Sequence, residues 1–425
     1  MLVQFSVENF GSIEHEQVLS FVKSNYYKDM PEWSHPCATQ SLKGMSLLKA
    51  AAVYGANASG KSTLLEALRA MSVVVRSSAQ LMPDEALPYN PFKLDAASAS
   101  APTTFKIVFE ASEARYDYEF SYAAAGIKSE RLEKYETARP QLLFDRGLGD
   151  GGSVSIRLTG KMAGLKRYES FLREKPTSLL LSRAAQEGYA PLMDPYRWLS
   201  THLHFAIPDE GNAAAFGPIV EGAEGEELLA RLMAVATHAD LGITGIKAKA
   251  TAVPKELERL LSNEYAERLR KTPMKTAVFL HSGANGDVEL GMGDESVGTL
   301  AFLSLAAEVL RVLRDGHVLV VDEIDRSLHP ALVRELVSLF ADPAANPHGA
   351  QLLFTSHDPQ IMDYLRRDQI WLVSKDLTGS SSIEPLSDYS PRKHEKKSTG
   401  YELGRYGAIP YVDGLALVGG VADEA

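Results

Sequence analysis

The run Gly55-Ala56-Asn57-Ala58-Ser59-Gly60-Lys61-Ser62 constrains this chain more than any other feature. Its spacing, Gly-x-x-x-x-Gly-Lys-Ser, requires a strand before it and a helix after it. The sequence supplies both. Residues 46–55, SLLKAAAVYG, read as one buried strand ending in a glycine turn, and from Lys61 to about Val75 the residues Leu64, Leu65, Leu68 and Met71 share one helical face. Such a junction curls backbone N–H groups around an anion, and the helix dipole adds partial positive charge. Gly55, Ala56, Asn57, Ala58, Ser59, Gly60, Lys61, Ser62 and Thr63 are therefore expected to cradle nucleotide phosphates. Lys61 brings a full charge to the outer phosphates, and the Ser62 hydroxyl is placed to ligate Mg2+.

A second run, Val318-Leu319-Val320-Val321-Asp322-Glu323, is an apolar strand closed by two acids. Asp322 is expected to hold Mg2+ and Glu323 to act as general base on the attacking water. Alone, an Asp-Glu pair at a strand end is an ordinary solvated terminus. In a chain that carries the phosphate loop it reads as the second half of the site. ATP with Mg2+ is the expected ligand pair.

Lys61 and Asp322 are separated by more than half of the chain. Compact GTPases and AAA+ modules place these motifs much closer. The wide separation resembles the ABC-type ATPases, in particular the SMC, RecF and OLD group. That resemblance gives meaning to residues 293–310, GDESVGTLAFLSLAAEVL, a polar start on an apolar helix. By residue type, Ser296 and Thr299 could simply cap the helix. In the ABC class a Ser-x-Gly helix end just before the acidic strand reads the γ-phosphate bound to the other subunit, so Ser296, Val297, Gly298 and Thr299 are expected to act in trans. Thr299 stands where other members carry Gln. The resemblance also places Asp325 and Ser327 in a D-loop, with His329 where many members have Asp, and makes His357 the switch histidine, which senses the γ-phosphate. It further implies a Gln loop. Gln80 and Asn90 lie in the right region, and neither sits in a distinctive context.

Between the motifs, residues 103–136 alternate apolar and polar as three strands of a small antiparallel lobe, and residues 146–155 read as a flexible turn. Residues 160–272 read as mostly helical, with amphipathic stretches at 224–242 and 254–271. Strands alternating with helices at both chain ends imply one parallel sheet interrupted by insertions. The expected class is α/β: a P-loop NTPase with an ABC-type head, an antiparallel β lobe and an inserted, mainly helical lobe. The expected boundaries are 1–155 for the first half of the head with the β lobe, 156–274 for the helical lobe and 275–425 for the second half.

The formal net charge of −11 argues against a whole-surface nucleic-acid binder, while leaving a local basic groove open. Arg392, Lys393, Lys396, Lys397 and Arg405, with Tyr401 and Tyr406 among them, form the one basic cluster of note, and a solvated loop is its simpler reading. The single cysteine, Cys37, excludes an internal disulfide and argues against a cysteine metal site. The amino terminus lacks a basic leader followed by an apolar core. No uncharged apolar run reaches the ~18 residues that span a bilayer. A cytoplasmic protein without membrane contact is expected.

The stretches FSVENFGSI, YGANASGKSTLLEAL, PFKLD, ESVGT, DEIDRSLHP, QLLFTSHD, RRDQIWLVSKD and GRYGAIP together resemble a bacterial family of ABC-like ATPases, often called AAA-type, that is close to RloA and the AbiL abortive-infection proteins. The resemblance runs from residue 4 to 410. It implies ATP hydrolysis, a head-to-tail homodimer or higher oligomer, and a regulatory role in phage defence beside an effector from a neighbouring gene, frequently a nuclease or Toprim-like protein. The competing reading is a DNA-maintenance ATPase of the RecF or SMC kind. A transporter subunit fits the insertions poorly. A self-contained nuclease of the OLD kind is not expected, because the residues after Asp322 are largely used by the remaining sheet.

Overall fold

A computed structural model of the chain describes residues 1–82, 85–148, 154–206, 225–239, 241–251, 274–389 and 396–409. In chain order its first strands are β1 (Leu2–Glu8), β2 (Gln17–Ser20), β3 (Ser34–Pro36), β4 (Ser46–Leu48) and β5 (Ala50–Gly55), followed by helix α1 (Lys61–Ser77). Five strands come next: β6 (Thr103–Ala111), β7 (Ala114–Ala123), β8 (Gly126–Tyr135), β9 (Gln141–Leu148) and β10 (Val154–Leu158). Then come the short helices α2 (Glu169–Glu174), α3 (Leu180–Gln186) and α4 (Met193–Thr201), strand β11 (Leu203–Ala206) and helix α5 (Gly225–His238). Strands β12 (Ile243–Thr251), β13 (Met274–Gly283) and β14 (Gly286–Gly291) precede α6 (Val297–Asp315), β15 (Val318–Val321) and α7 (Pro330–Ala341). The chain closes with β16 (Gln351–Thr355), β17 (Ile370–Lys375), β18 (Ser381–Pro385) and α8 (Lys397–Glu402). It divides into two compact units, Met1–Leu203 with Leu353–Ala425, and His204–Leu352.

In the first unit, a seven-stranded sheet runs β10-β9-β8-β7-β6-β1-β2, antiparallel throughout. It is larger than the three strands expected over 103–136. The amino-terminal strand β1 belongs to it, because Phe5 on its inward face meets Phe105 at 6.2 Å between ring centroids. Phe105 in turn packs on Phe120 and Tyr122. Aromatic cross-strand pairs of this kind set register, and an isolated strand cannot announce them. Helix α4 covers the sheet through Trp198, which stacks on Phe109 at 4.2 Å.

The stretch 46–55 is two strands rather than one. β4 pairs antiparallel with β3, and after the break at Lys49, β5 pairs parallel with β17 from Ala52 to Gly55. All six residues of β5 are buried, since it lies between β16 and β17. α1 carries the expected stripe, with Leu64, Leu65, Leu68 and Met71 buried. Serines tie it to its neighbours: Leu199 accepts from the Ser72 hydroxyl of α1 at 3.0 Å, and Val75 of α1 accepts from Ser182 of α3 at 2.6 Å.

In the second unit, α6 packs between α5 and α7, and the wholly buried β15 precedes a turn of acids. β12, β13 and β14 form an antiparallel three-stranded sheet. The stretch read as helical at 224–242 contains α5, but residues 243–251 form β12. The sequence there, ITGIKAKAT, alternates with period two, and Lys249 meets Glu289 of β14 at 2.9 Å. The amphipathic stretch 254–271 lies outside the described residues, as do 149–153 of the expected turn.

Candidate nucleotide site

The phosphate loop leaves β5 at Gly55 and enters α1 at Lys61. Ala58 has φ 60° and Gly60 φ 113°, so the backbone reverses tightly. Neither glycine could be larger. A Cβ on Gly55 would collide with the Val373 carbonyl, and one on Gly60 with the hydroxyls of Ser381 and Ser12. Gly60 caps α1 without any side-chain hydrogen bond, which leaves first-turn N–H groups seeking an acceptor. Lys61 is only 7% exposed, and its ammonium donates to the Gly55 carbonyl at 2.9 Å and the Ala56 carbonyl at 3.0 Å. The Ser59 hydroxyl is buried without a hydrogen-bond partner. An uncapped helix start, a lysine held over the loop and a buried hydroxyl in need of a partner all fit a phosphate group.

A chain of hydroxyls underlies the loop, and the sequence reading missed it. Ser381 of β18 donates to the Ser59 carbonyl at 2.6 Å and to Ser12 at 2.8 Å, and Ser12 donates to Thr63 at 3.1 Å. Ser12 and Ser381 are far apart in sequence, and no local pattern marks either one.

His357 is exposed just after β16, beyond Ser356, whose N–H donates to the Val53 carbonyl of β5. The Ser356 hydroxyl accepts from the Asp358 N–H at 3.0 Å, and the Asp358 carboxylate caps the turn Pro359–Tyr364 through the Gln360 N–H at 2.9 Å.

In the second unit, Asp322 and Glu323 are partly exposed at the end of β15. Glu323 has φ 51° and Ser327 φ 61°, left-handed conformations that non-glycine residues rarely hold and that cluster at functional sites. Asp325 lies between them. The Arg326 guanidinium is 3.9 Å from the Glu323 carboxylate. His329 caps α7 by accepting the Ala331 N–H at 3.2 Å, the task an aspartate does elsewhere.

Ser296 is the N-cap of α6, and its hydroxyl oxygen accepts the Thr299 N–H. The cap leaves the N–H groups of Val297 and Gly298 without a partner inside the helix. Gly298 abuts the turn after β15, where an added Cβ would lie 3.2 Å from the Ser327 carbonyl oxygen. Glu295, the residue before the cap, is held by His281 of β13 at 2.6 Å.

The remaining candidates play structural parts or lie outside the described residues. The Asn90 carbonyl accepts the Gly11 N–H at 2.8 Å, and Gln80 lies in the turn after α1, its own N–H on the Ser77 carbonyl. Arg392 and Lys393 are outside the described residues. Lys397 donates to the Asp363 carbonyl, and Tyr406 is buried. The RRDQ stretch is a staple. Arg366 is wholly buried, with a two-pronged bond to Asp368 at 2.9 Å on each prong, and it also holds the carbonyls of Ser24, Tyr27 and Asp29.

A mixed α/β fold with a Gly-x-x-x-x-Gly-Lys-Ser loop between a buried strand and a helix fits a P-loop NTPase. The chain belongs to the family described as AAA domain, putative AbiEii toxin, Type IV TA system, whose profile matches residues 50–363. That span runs from β5 through the phosphate loop, Ser296, Asp322 and His357. Domains of this kind are in general nucleotide hydrolases that bind ATP with Mg2+. No curated protein matches the chain. No helix among the described residues is long and apolar enough to cross a membrane.

Proposed function

We propose that the chain is an ABC-type ATPase that binds ATP on Gly55–Thr63 and closes a head-to-tail dimer over it through Ser296–Thr299 of a second copy. The observation that carries this reading is Lys61, buried over its own loop carbonyls at the uncapped start of α1. On nucleotide binding, Lys61 exchanges those carbonyls for the outer phosphates, which the first-turn N–H groups also hold. Glu323 accepts a proton from the attacking water, its left-handed backbone fixing the carboxylate at the strand end. His357 bonds the γ-phosphate and is released when that phosphate leaves. Mg2+, when bound by Ser62 and Asp322, neutralises charge on the outer phosphates. The N–H groups of Val297 and Gly298 read the partner's γ-phosphate, and Asp325 and Ser327 face the dimer contact.

In this reading the ATP-switched dimer senses a phage-derived trigger and controls an effector from a neighbouring gene, a nuclease or Toprim-like protein. The family's description as a putative AbiEii toxin supports a toxin or abortive-infection setting, and the resemblance to RloA and AbiL points the same way. The test is turnover of Mg-ATP by the purified chain. Lys61→Ala is expected to lose nucleotide binding, and Glu323→Gln to bind ATP without hydrolysing it. Hydrolysis by Glu323→Gln at close to the wild-type rate removes Glu323 from the base role. In cells carrying the neighbouring gene, the wild type is expected to protect against phage and both variants to lose that protection; a wild type that does not protect would overturn the defence role, and variants that still protect would uncouple it from ATP turnover.

A further inference from the structure

The carboxy-terminal stretch 396–409 folds onto the base of the phosphate loop, within the first unit. Tyr401 of α8 packs edge-on against Tyr54, with ring centroids 5.9 Å apart. Its hydroxyl lies beside the backbone N–H of Gly55, the first residue of the loop, and donates to the Ala408 carbonyl at 3.2 Å. Tyr54 is fully buried and donates its own hydroxyl to the Asp358 carbonyl at 3.2 Å, one residue past His357. At the other end of the same turn, Asp363 accepts both the N–H and the hydroxyl of Ser398, at 3.2 and 2.6 Å. α8 itself is pinned from below, since a Cβ on Gly400 would collide with the hydroxyl of buried Tyr406.

One short helix thus packs on Tyr54, next to the first residue of the phosphate loop, and holds the far end of the turn that follows His357. The route between them is short: Gly55 to Tyr401, Tyr54 to Asp358, Ser398 to Asp363. Hydrogen bonds that join two parts of a site fix their relative placement more than they add affinity. The first-turn N–H groups of α1 expected to hold phosphate belong to later residues.

We propose that Tyr401 is a positioning residue for ATP hydrolysis, which with Ser398 clamps the phosphate loop and the switch-histidine turn into one alignment. The proposal rests on the ATPase reading above. It gives Tyr401 a role inside the fold in place of the solvated loop that its basic neighbours suggested.

The test uses the full chain as wild type, Tyr401→Phe, Ser398→Ala, the double variant and Lys61→Ala. It measures kcat, KM, the Kd for Mg-ATP and a thermal melt. Tyr401→Phe keeps the ring against Tyr54 and removes only the hydroxyl. Its kcat should fall about threefold to tenfold, the change that one lost hydrogen bond corresponds to, while the Kd stays within about twofold. Because both residues serve one clamp, the double variant should turn over no more slowly than the worse single variant. Lys61-dependent turnover with an unchanged kcat in Tyr401→Phe overturns the proposal alone. So does a fall in kcat and affinity by the same factor together with a lowered melting temperature, which marks a merely structural tyrosine. Wild-type protein without Lys61-dependent turnover removes the ATPase reading and this proposal with it.

Discussion

The Ser296 hydroxyl oxygen accepts the Thr299 N–H at 3.1 Å, so the residue expected to reach across a dimer is also the cap of its own helix. The two roles separate by substitution. Aspartate caps a helix as well as serine does and favours the positive end of the dipole, yet it sets a negative charge where a γ-phosphate would dock. Ser296→Asp should melt within about 0.5 kcal/mol of wild type and bind ATP as a monomer, but fail to dimerise. Ser296→Ala should lose about 1 kcal/mol of stability through the missing cap. Normal ATP-driven dimerisation by Ser296→Asp would leave Ser296 a cap and nothing more.

Gly60 tests the loop itself. At φ 113° an L-residue is strained by roughly 1–3 kcal/mol, and the new Cβ would also meet the Ser381 and Ser12 hydroxyls. Gly60→Ala is expected to lower the melting temperature and to weaken nucleotide binding at least tenfold (a change of about 1.4 kcal/mol), as read by titration with a fluorescent ATP analogue. Wild-type affinity in this variant would mean that the loop does not need this backbone to hold phosphate.

Arg366 looks in sequence like half of a surface Arg-Arg pair, yet it is wholly buried against Asp368. Removing one partner of a buried pair strands the other charge, so Arg366→Met should cost about 3–5 kcal/mol in chemical denaturation. Its half-exposed neighbour Arg367, over the Tyr27 ring, should cost under about 1 kcal/mol when changed to Met.

A pH dependence follows from His317. Burial holds its pKa below the ordinary value of 6.5, with Arg311 and Arg314 pushing the same way and Asp315 opposing them. The ring stacks on His204, with nitrogens 2.8 Å apart. In the unfolded chain the ordinary pKa returns, so between the two values the unfolded state binds more protons. The stability this group contributes is therefore complete above pH 6.5 and is lost as the pH falls through the lower, folded-state value. Denaturation midpoints should decline on acidifying from about pH 7.5 to 5.5, a window set around the histidine pKa. His317→Asn should flatten that decline, and an unaltered slope would contradict the assignment.

Local patterns made much of the site legible in advance. The spacing of Gly55, Gly60 and Lys61 marked the loop, the apolar run before Asp322 marked β15, and the three- and four-residue spacing of Leu64, Leu68 and Met71 marked α1. What stayed hidden depends on partners distant in sequence. Alternation of Val3, Phe5 and Val7 marks β1 as a strand but does not say that Phe5 meets Phe105 in the antiparallel sheet. Ser12 and Ser381 are unremarkable hydroxyls until the fold places them under Gly60. In the same way, nothing near Tyr401 points to Gly55. Residues 243–251 read as part of a mainly helical stretch because nine residues are too few for the period-two alternation to stand out, and the pairing with β13 makes them a strand.

The most direct test of the central claim is the native mass of purified Glu323→Gln protein with and without Mg-ATP, with bound nucleotide measured in the same sample. An ATP-dependent doubling of mass that Ser296→Asp abolishes is the predicted result. A mass that stays the same while ATP is bound would contradict the nucleotide-bridged dimer.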